Sequence, residues 1–289
     1  MIRLILDSKF ANSAVLYVAI PFLVSFAIFQ FTPKPESARI WKRYLAHMRD
    51  ATIIMLATSV ILFEGFICVL MFMPIYFLIV SVGFGAEALV KRESGGRQNK
   101  LKASLLPLAI AILALEGLTP STSFERQNQV TRSIIVDASI DDLKANMAAD
   151  IEFSDRRHWF LSIFPLPVDV AAGTLNAGDV HRLDFIYKRW FFTNIDRGEF
   201  HLRIDEVSKN RIQTSVTRNT SYLAKYLNIQ GTEVEFRPLS DGRTEVALTI
   251  YYQRLLDPAW YFGPMQKFAV SRSADYLMDQ VIIREVSDD

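Results

Sequence analysis

The sequence predicts an α+β protein in two parts: a helical membrane region over about residues 1–120, then a water-soluble domain of antiparallel strands closed by a long helix. Three observations carry this expectation. The first part holds four mainly apolar stretches, strand-like alternation begins only after residue 130, and the C-terminal segment repeats apolar side chains at three- and four-residue steps.

The apolar stretches come first. Residues 14–31 (AVLYVAIPFLVSFAIFQF) carry no charge and are about as long as a hydrocarbon core of roughly 30 Å requires at 1.5 Å per residue. The block 52–90 is too long for one crossing and contains Pro74, which suits the first turn of a helix better than its middle. It is therefore expected to divide into spans at 52–70 and 74–90, with residues 71–73 in the turn. The fourth span, 103–118 (ASLLPLAIAILALEGL), is weaker and needs its flanks to reach both interfaces.

Charge orients this region. Lys34, Arg39, Lys42, Arg43 and Arg49 lie between the first two spans, and Lys91, Arg92, Arg97, Lys100 and Lys102 lie between the last two. Four spans put both loops on one side, and the positive-inside rule makes that side cytoplasmic. The C-terminal domain then lies outside the cytoplasm, and no cleavable signal peptide is evident ahead of the first span. Glu64 and Glu116, each followed by a glycine, are the intramembrane polar residues of this topology. Such carboxylates either serve function or sit near an interface in contact with water or a neighbouring helix.

Composition narrows the function classes. The formal net charge of +1 gives no basis for a nucleic-acid partner. Cys68 is the only cysteine, so no intramolecular disulfide can form. The sequence holds no Gly-rich phosphate loop, no metal-spaced Cys/His cluster and no nucleophile elbow, and His47, His158, His181 and His201 are scattered. No metal or cofactor is expected.

Residues 119–130 (TPSTSFERQNQV) are polar and read as a short tether, with the linker itself at 121–129. Beyond it, 131–136 reads as a strand. Residues 140–148 read as a short helix announced by Ser139 and by Asp141 and Asp142 in its first turn. After a loop rich in aromatics and prolines, strands are expected at 180–187, 190–192, 200–207 and 212–218. Strands at 231–238 and 244–253 join through Ser240, Asp241 and Gly242. Val246, Leu248, Ile250 and Tyr252 share one face of the last strand. A helix over about 264–284 carries an apolar stripe of Met265, Phe268, Ala274, Leu277, Met278 and Val281. The economical packing curls the sheet around this helix, an arrangement that can leave a cavity between them.

The order of one strand, a short helix, antiparallel strands and a long terminal helix resembles the helix-grip fold of the START and polyketide cyclase/dehydrase superfamily, often called SRPBCC. The resemblance covers about residues 130–285. Gly178 and Arg182 in GDVHR resemble a strand opening frequent in this group, and residues 234–262 (VEFRPLSDGRTEVALTIYYQRLLDPAWYF) resemble its final hairpin and the exit to the helix. It looks most like the membrane-anchored bacterial branch, which implies an inner-membrane location and a habit of holding apolar ligands.

The densest chemical constellation is Tyr251, Arg254, Asp257, Pro258, Trp260 and Tyr261. One reading places the aromatics at a cavity mouth with Arg254 on a ligand carboxylate or phosphate. The other makes Asp257 a helix N-cap and Pro258 the first helical residue. His158, with Asp155 nearby, is either a general base or a loop histidine bonded to backbone, and Trp159 a packing anchor or interfacial aromatic. The expected ligand-binding residues are thus His158, Trp159, Arg182, Tyr251, Arg254, Trp260 and Tyr261, and no catalytic pair is identifiable. The expected function is to hold a lipid or other hydrophobic small molecule at the outer face of the membrane. A cyclase- or dehydratase-type enzyme and an accessory subunit of a membrane complex remain open as alternatives.

Overall fold

The computed structural model describes residues 14–31, 39–61, 66–92, 112–154, 158–168, 170, 173–190 and 193–284. The chain divides into two compact units: residues 1–124 with 256–262, and residues 125–255 with 263–289.

In the helical unit a π-helical turn (Val15–Ala19) leads into α1 (Ile20–Phe31), followed by α2 (Ile40–Ile61) and α3 (Phe66–Arg92). Two small clusters hold them together. Val18, Ile75, Ile79 and Ala114 are buried in one, and Ile28, Ala51, Met55, Tyr76 and Val80 in the other. The buried polar groups are paired: Ser25 Oγ lies 2.9 Å from His47 Nε2, and the Tyr76 hydroxyl donates to Ala51 O at 2.9 Å.

This architecture corrects the expected spans. No turn occurs at residues 71–73, because α3 runs unbroken from Phe66 to Arg92 with Pro74 inside it. Pro74 gives up one helical N–H bond, but Ile75, Tyr76, Ile79 and Val80 just beyond it are buried, and their packing carries the helix past the break. The described part of α2 ends at Ile61 and that of α3 begins at Phe66, so Glu64 lies outside the described residues. Among the described residues, no helix is long and apolar enough to cross a membrane. The π-helical turn and α1 together keep residues 14–31 helical, the bounds expected of the first span, whereas α2 opens at residue 40 with Lys42, Arg43, Arg49 and Asp50 in its first half. Of the fourth expected span only residues 112–118 are described, and only 112–114 are helical.

The second unit is a seven-stranded antiparallel sheet with two helices. In chain order these are β1 (Gln127–Val136), α4 (Ile140–Ala148), β2 (Leu166–Pro167), β3 (Val180–Trp190), β4 (Thr193–Val207), β5 (Arg211–Asn219), β6 (Leu227–Pro238), β7 (Thr244–Arg254) and α5 (Ala259–Leu277). Helix α5 continues as a π-helical turn (Met278–Ile283). The spatial order is β1-β7-β6-β5-β4-β3-β2. The β1 strand therefore pairs with the last strand and closes one end of the sheet, with Val130 opposite Ile250 and Ile134 opposite Val246.

Local chemistry explains most boundaries. Helix α4 starts where expected because Ser139 Oγ accepts the Asp142 N–H at 3.2 Å while the Asp142 carboxylate accepts the Ser139 N–H, a reciprocal capping box. Strand β7 alternates strictly, burying Thr244, Val246, Leu248, Ile250, Tyr252 and Arg254 on one face. The β6–β7 turn places Gly242 at φ +86°, a conformation that costs glycine little.

Several expected elements are redrawn: β1 begins at Gln127 rather than 131, inside the linker expected at 121–129, and β6 begins at Leu227 rather than 231. Trp190 of the strand expected at 190–192 belongs to β3, which runs on from Val180 and pairs Trp190 with Thr193 at the start of β4; residues 191 and 192 lie outside the described residues. The polar residues near the end of β3 look like a turn in sequence, but ladder pairing outweighs their weak strand propensity. Helix α5 begins at Ala259 rather than 264 and contains Pro264. Its buried line is Val270, Ala274, Met278 and Ile282, spaced by four. Met265 and Phe268 of the expected stripe are not part of that line, and Phe268 is exposed.

The core of this unit gathers Leu143 from α4, the inner faces of β4 to β7, Val130 of β1 and that α5 line. The sheet is also tightly constrained at Gly231, where the β6–β7 register shifts. A Cβ at this position would lie 2.1 Å from the Thr214 backbone oxygen. Replacing Gly231 by Ala is therefore expected to cost about 1–3 kcal/mol through overpacking. Chemical denaturation of the full chain measures this, and an unchanged midpoint would show that β5 can yield.

Candidate functional site

The inner face of the sheet is not filled by α5. Between them lies a cavity of about 280 Å³. Strands contribute Leu183 and Phe185 (β3), Phe200, Leu202 and Ile204 (β4), Ile212 and Thr214 (β5), Leu227, Ile229, Thr232 and Val234 (β6), and Leu248 and Ile250 (β7). The helical wall is Ala269, Val270, Ser273, Tyr276 and Leu277 of α5 with Val281 and Ile282 beyond it. Loop residues from Ile151 to Leu175, including Leu161, Phe164 and Pro165, complete the lining.

The strand residues alternate in parity, so each strand turns every second side chain inward. Most are β-branched, leucine or phenylalanine, and the wall is correspondingly apolar. Its titratable members among the described residues are His181 and Tyr276. His181 Nε2 lies 2.9 Å from Thr174 O, and the Tyr276 hydroxyl donates to Ser154 O at 2.7 Å. Among the described residues no group of His, Cys, Asp or Glu could hold a metal ion.

None of the seven expected ligand-binding residues is in this lining, although Leu248 and Ile250 of the apolar face of the last strand and Leu277 and Val281 of the helix stripe are. His158 caps a short 3₁₀ helix (Trp159–Ile163), its Nδ1 accepting the Phe160 N–H at 3.2 Å. Trp159 is 71% exposed, and its ring sits 5.7 Å from that of His158. Arg182 is on the outer surface, paired with Asp184 and Glu199 at 3.1 Å each. Tyr251 also points outward from β7 and donates to Glu233 Oε2 at 2.7 Å, while Arg211 meets the other carboxylate oxygen at 2.5 Å. Arg254 is buried at the end of β7, where its N–H donates to Arg126 O at 2.8 Å.

Trp260 and Tyr261 group with the helical unit instead, and the Tyr261 hydroxyl donates to Met71 O at 2.6 Å. Glu116 belongs to that unit too. Its Oε1 accepts the Ala259 N–H at 2.7 Å, so a carboxylate meets the positive end of α5. This corrects the N-cap reading of Asp257: helix α5 starts at Ala259, two residues later, and its first N–H is taken by Glu116. Asp257 is fully buried, and its bond to Pro258 is cis.

Most residues that line the cavity are chemically quiet and carry no motif. The one available signal was inward parity, as in Leu183/Phe185, Phe200/Leu202/Ile204 and Ile212/Thr214, once the strands were in place.

A sheet packed on a C-terminal helix, with α4 and the loop region between β1 and β3, is a helix-grip arrangement. Solved structures of similar fold include a START superfamily protein from Mycobacterium smegmatis, 17% identical over 53% of this chain and 92% of that one, with a TM-score of 0.36. The Zhui aromatase/cyclase from a Streptomyces species is 14% identical over 52% of this chain and 89% of its own, TM-score 0.32. A major latex-like protein from Panax ginseng is 12% identical over 53% and 99%, TM-score 0.27. No family model and no curated protein matches the sequence.

The Tyr251–Glu233 bond has a pH consequence. The hydrogen bond to the carboxylate, then partial burial and the nearby negative charge, raise the Tyr251 phenol above its ordinary value of 10.0. A raised folded value means that this contact supports folding below pH about 10 and that the support disappears as pH rises through the folded value. Glu233→Gln is expected to bring the Tyr251 phenol down toward its ordinary range. Tyrosinate absorbance, with Tyr251→Phe identifying the signal, reads the shift; an unchanged titration would rule out the coupling.

Proposed function

We propose that the helix-grip unit is a receptor for an apolar small molecule, held between the sheet and α5. The single observation behind this reading is the 280 Å³ cavity, since an interior with an apolar lining and few polar groups is the usual form of a small-molecule site. A well-packed core leaves few voids larger than a water molecule.

The helical unit adds a setting. It exposes Leu23, Phe26, Phe31, Trp41, Ile53 and Leu78, each at half or more of its full area. So large an apolar surface in a unit this small marks contact with lipid or with another apolar partner. We read it as lipid, with the basic loops on the cytoplasmic side and the receptor unit outside, a bacterial inner membrane being the setting the family resemblance suggests. A bilayer would then keep the concentration of apolar ligand high near the receptor. A membrane-protein partner would cover the same surface, and is the result to look for if lipid does not.

Extraction of the purified full chain followed by mass spectrometry is expected to yield a bound apolar molecule. Ala269→Trp, which fills the cavity from α5, should abolish that recovery while cooperative unfolding is retained. Equal recovery from both proteins would count against the cavity as the site. Membranes washed with alkaline carbonate are expected to retain the chain, and an outer-face protease should reach the second unit; release by the wash would remove lipid from the picture.

A further inference from the structure

The polar points on the cavity wall differ in what they have left to offer. Ser273 Oγ donates to Ala269 O at 3.0 Å, and Ser221 Oγ lies 2.7 Å from Asn219 Oδ1. The His181 ring and the Tyr276 hydroxyl are directed at backbone carbonyls, as described above. In each of these hydroxyls the single proton is already given to a protein oxygen, which leaves lone pairs to accept with but no proton to donate.

Thr214 and Thr232 are arranged otherwise. They are register partners on β5 and β6, both turned into the cavity, with their hydroxyl oxygens 2.8 Å apart. Thr214 Oγ1 also lies 3.2 Å from Thr232 O and accepts the Thr232 N–H at 3.1 Å. A hydroxyl carries one proton and two lone pairs. If Thr214 donates to Thr232 O, Thr232 donates to Thr214 and keeps both lone pairs open to accept. If Thr214 donates to Thr232 Oγ1 instead, the Thr232 proton is released to donate. The pair can therefore meet a ligand hydroxyl or a ligand carbonyl without losing its internal bond.

Charge points the same way. Among the described residues the lining contains no Lys, Arg, Asp or Glu, so a carboxylate or phosphate placed inside would be desolvated without a counter-ion. Size adds a limit: a cavity of about 150 Å³ takes benzene, so 280 Å³ suits roughly two such rings and falls far short of a two-chain phospholipid.

Resting on the receptor reading above, we infer that the ligand is one uncharged apolar molecule bearing a hydroxyl or carbonyl oxygen, and that the Thr214–Thr232 pair is the specificity determinant that reads this oxygen. Fatty acid anions are disfavoured, since among the described residues the lining supplies no Lys or Arg to pair with a carboxylate.

Three naphthalenes of similar size test this by equilibrium dialysis against the full chain in mild detergent, with Ala269→Trp as the blank for partition into micelles. The probes are 2-acetylnaphthalene, 2-naphthoate and 2-ethylnaphthalene. The acetyl compound is expected to bind at least about 30-fold more tightly than the naphthoate at neutral pH. Thr232→Val should weaken the acetyl compound by about 3- to 10-fold and leave the ethyl compound unchanged, and Thr232→Ser should restore the preference. Naphthoate binding as tightly as the acetyl compound overturns the inference while the receptor reading stands. So does a Thr232→Val protein that binds all three as the wild type does or weakens all three equally. Binding of none of the three above the blank overturns the receptor reading itself.

Discussion

A curved sheet of seven strands presents more concave surface than one helix can cover, and this mismatch governs the second unit. Helix α5 offers the sheet a narrow line, Val270, Ala274, Met278 and Ile282, while β3 to β7 all turn apolar side chains inward. Where that line meets β4 to β7 the two layers close into a core. The cavity adjoins this core: Val270 and Ile282 of the line and Ile212, Val234 and Leu248 of the sheet belong to both, and β3 and the loop before it add Leu183, Phe185, Leu161, Phe164 and Pro165. The cavity is thus a product of layer geometry, built from residues that would make an ordinary core if a further helix lay beside α4 and α5.

The same geometry explains how much of the fold was legible in the sequence. Helix α4 could be read from Ser139, Asp141 and Asp142, because a capping box is local chemistry. Strand β7 could be read from its alternation, and its turn from Gly242. Long-range pairing was harder. Lys188 and Arg189 look like a strand end, yet β3 continues through them because β4 supplies partners as far as Thr193. Pro74 and Pro264 look like helix boundaries, but both lie inside helices.

The candidate site was the least legible part. Tyr251, Arg182 and His158 stand out in the sequence for their side-chain chemistry, and each has a partner within the scaffold. Tyr251 and Arg211 share Glu233 on the outer face of the sheet, Arg182 joins a surface ion-pair group, and His158 caps a turn. Thr214 and Thr232 carry no motif in sequence. Their pairing is a consequence of strand register, and register depends on the whole ladder from β1 to β2. Glu116 gives the converse case: its chemistry was noticed, but its partner, the first N–H of α5, lies 143 residues further along the chain.

The two ends of the sheet are unequal. One is β2, a pair of residues ending in Pro167, which has no N–H to offer and stops the ladder. The other is β1, ten residues long and hydrogen-bonded to β7 along one side, with Ile134 and Ile135 exposed. Any lateral growth of this sheet, whether by self-association of misfolded chains or by an added strand, is therefore confined to the rim that β1 forms.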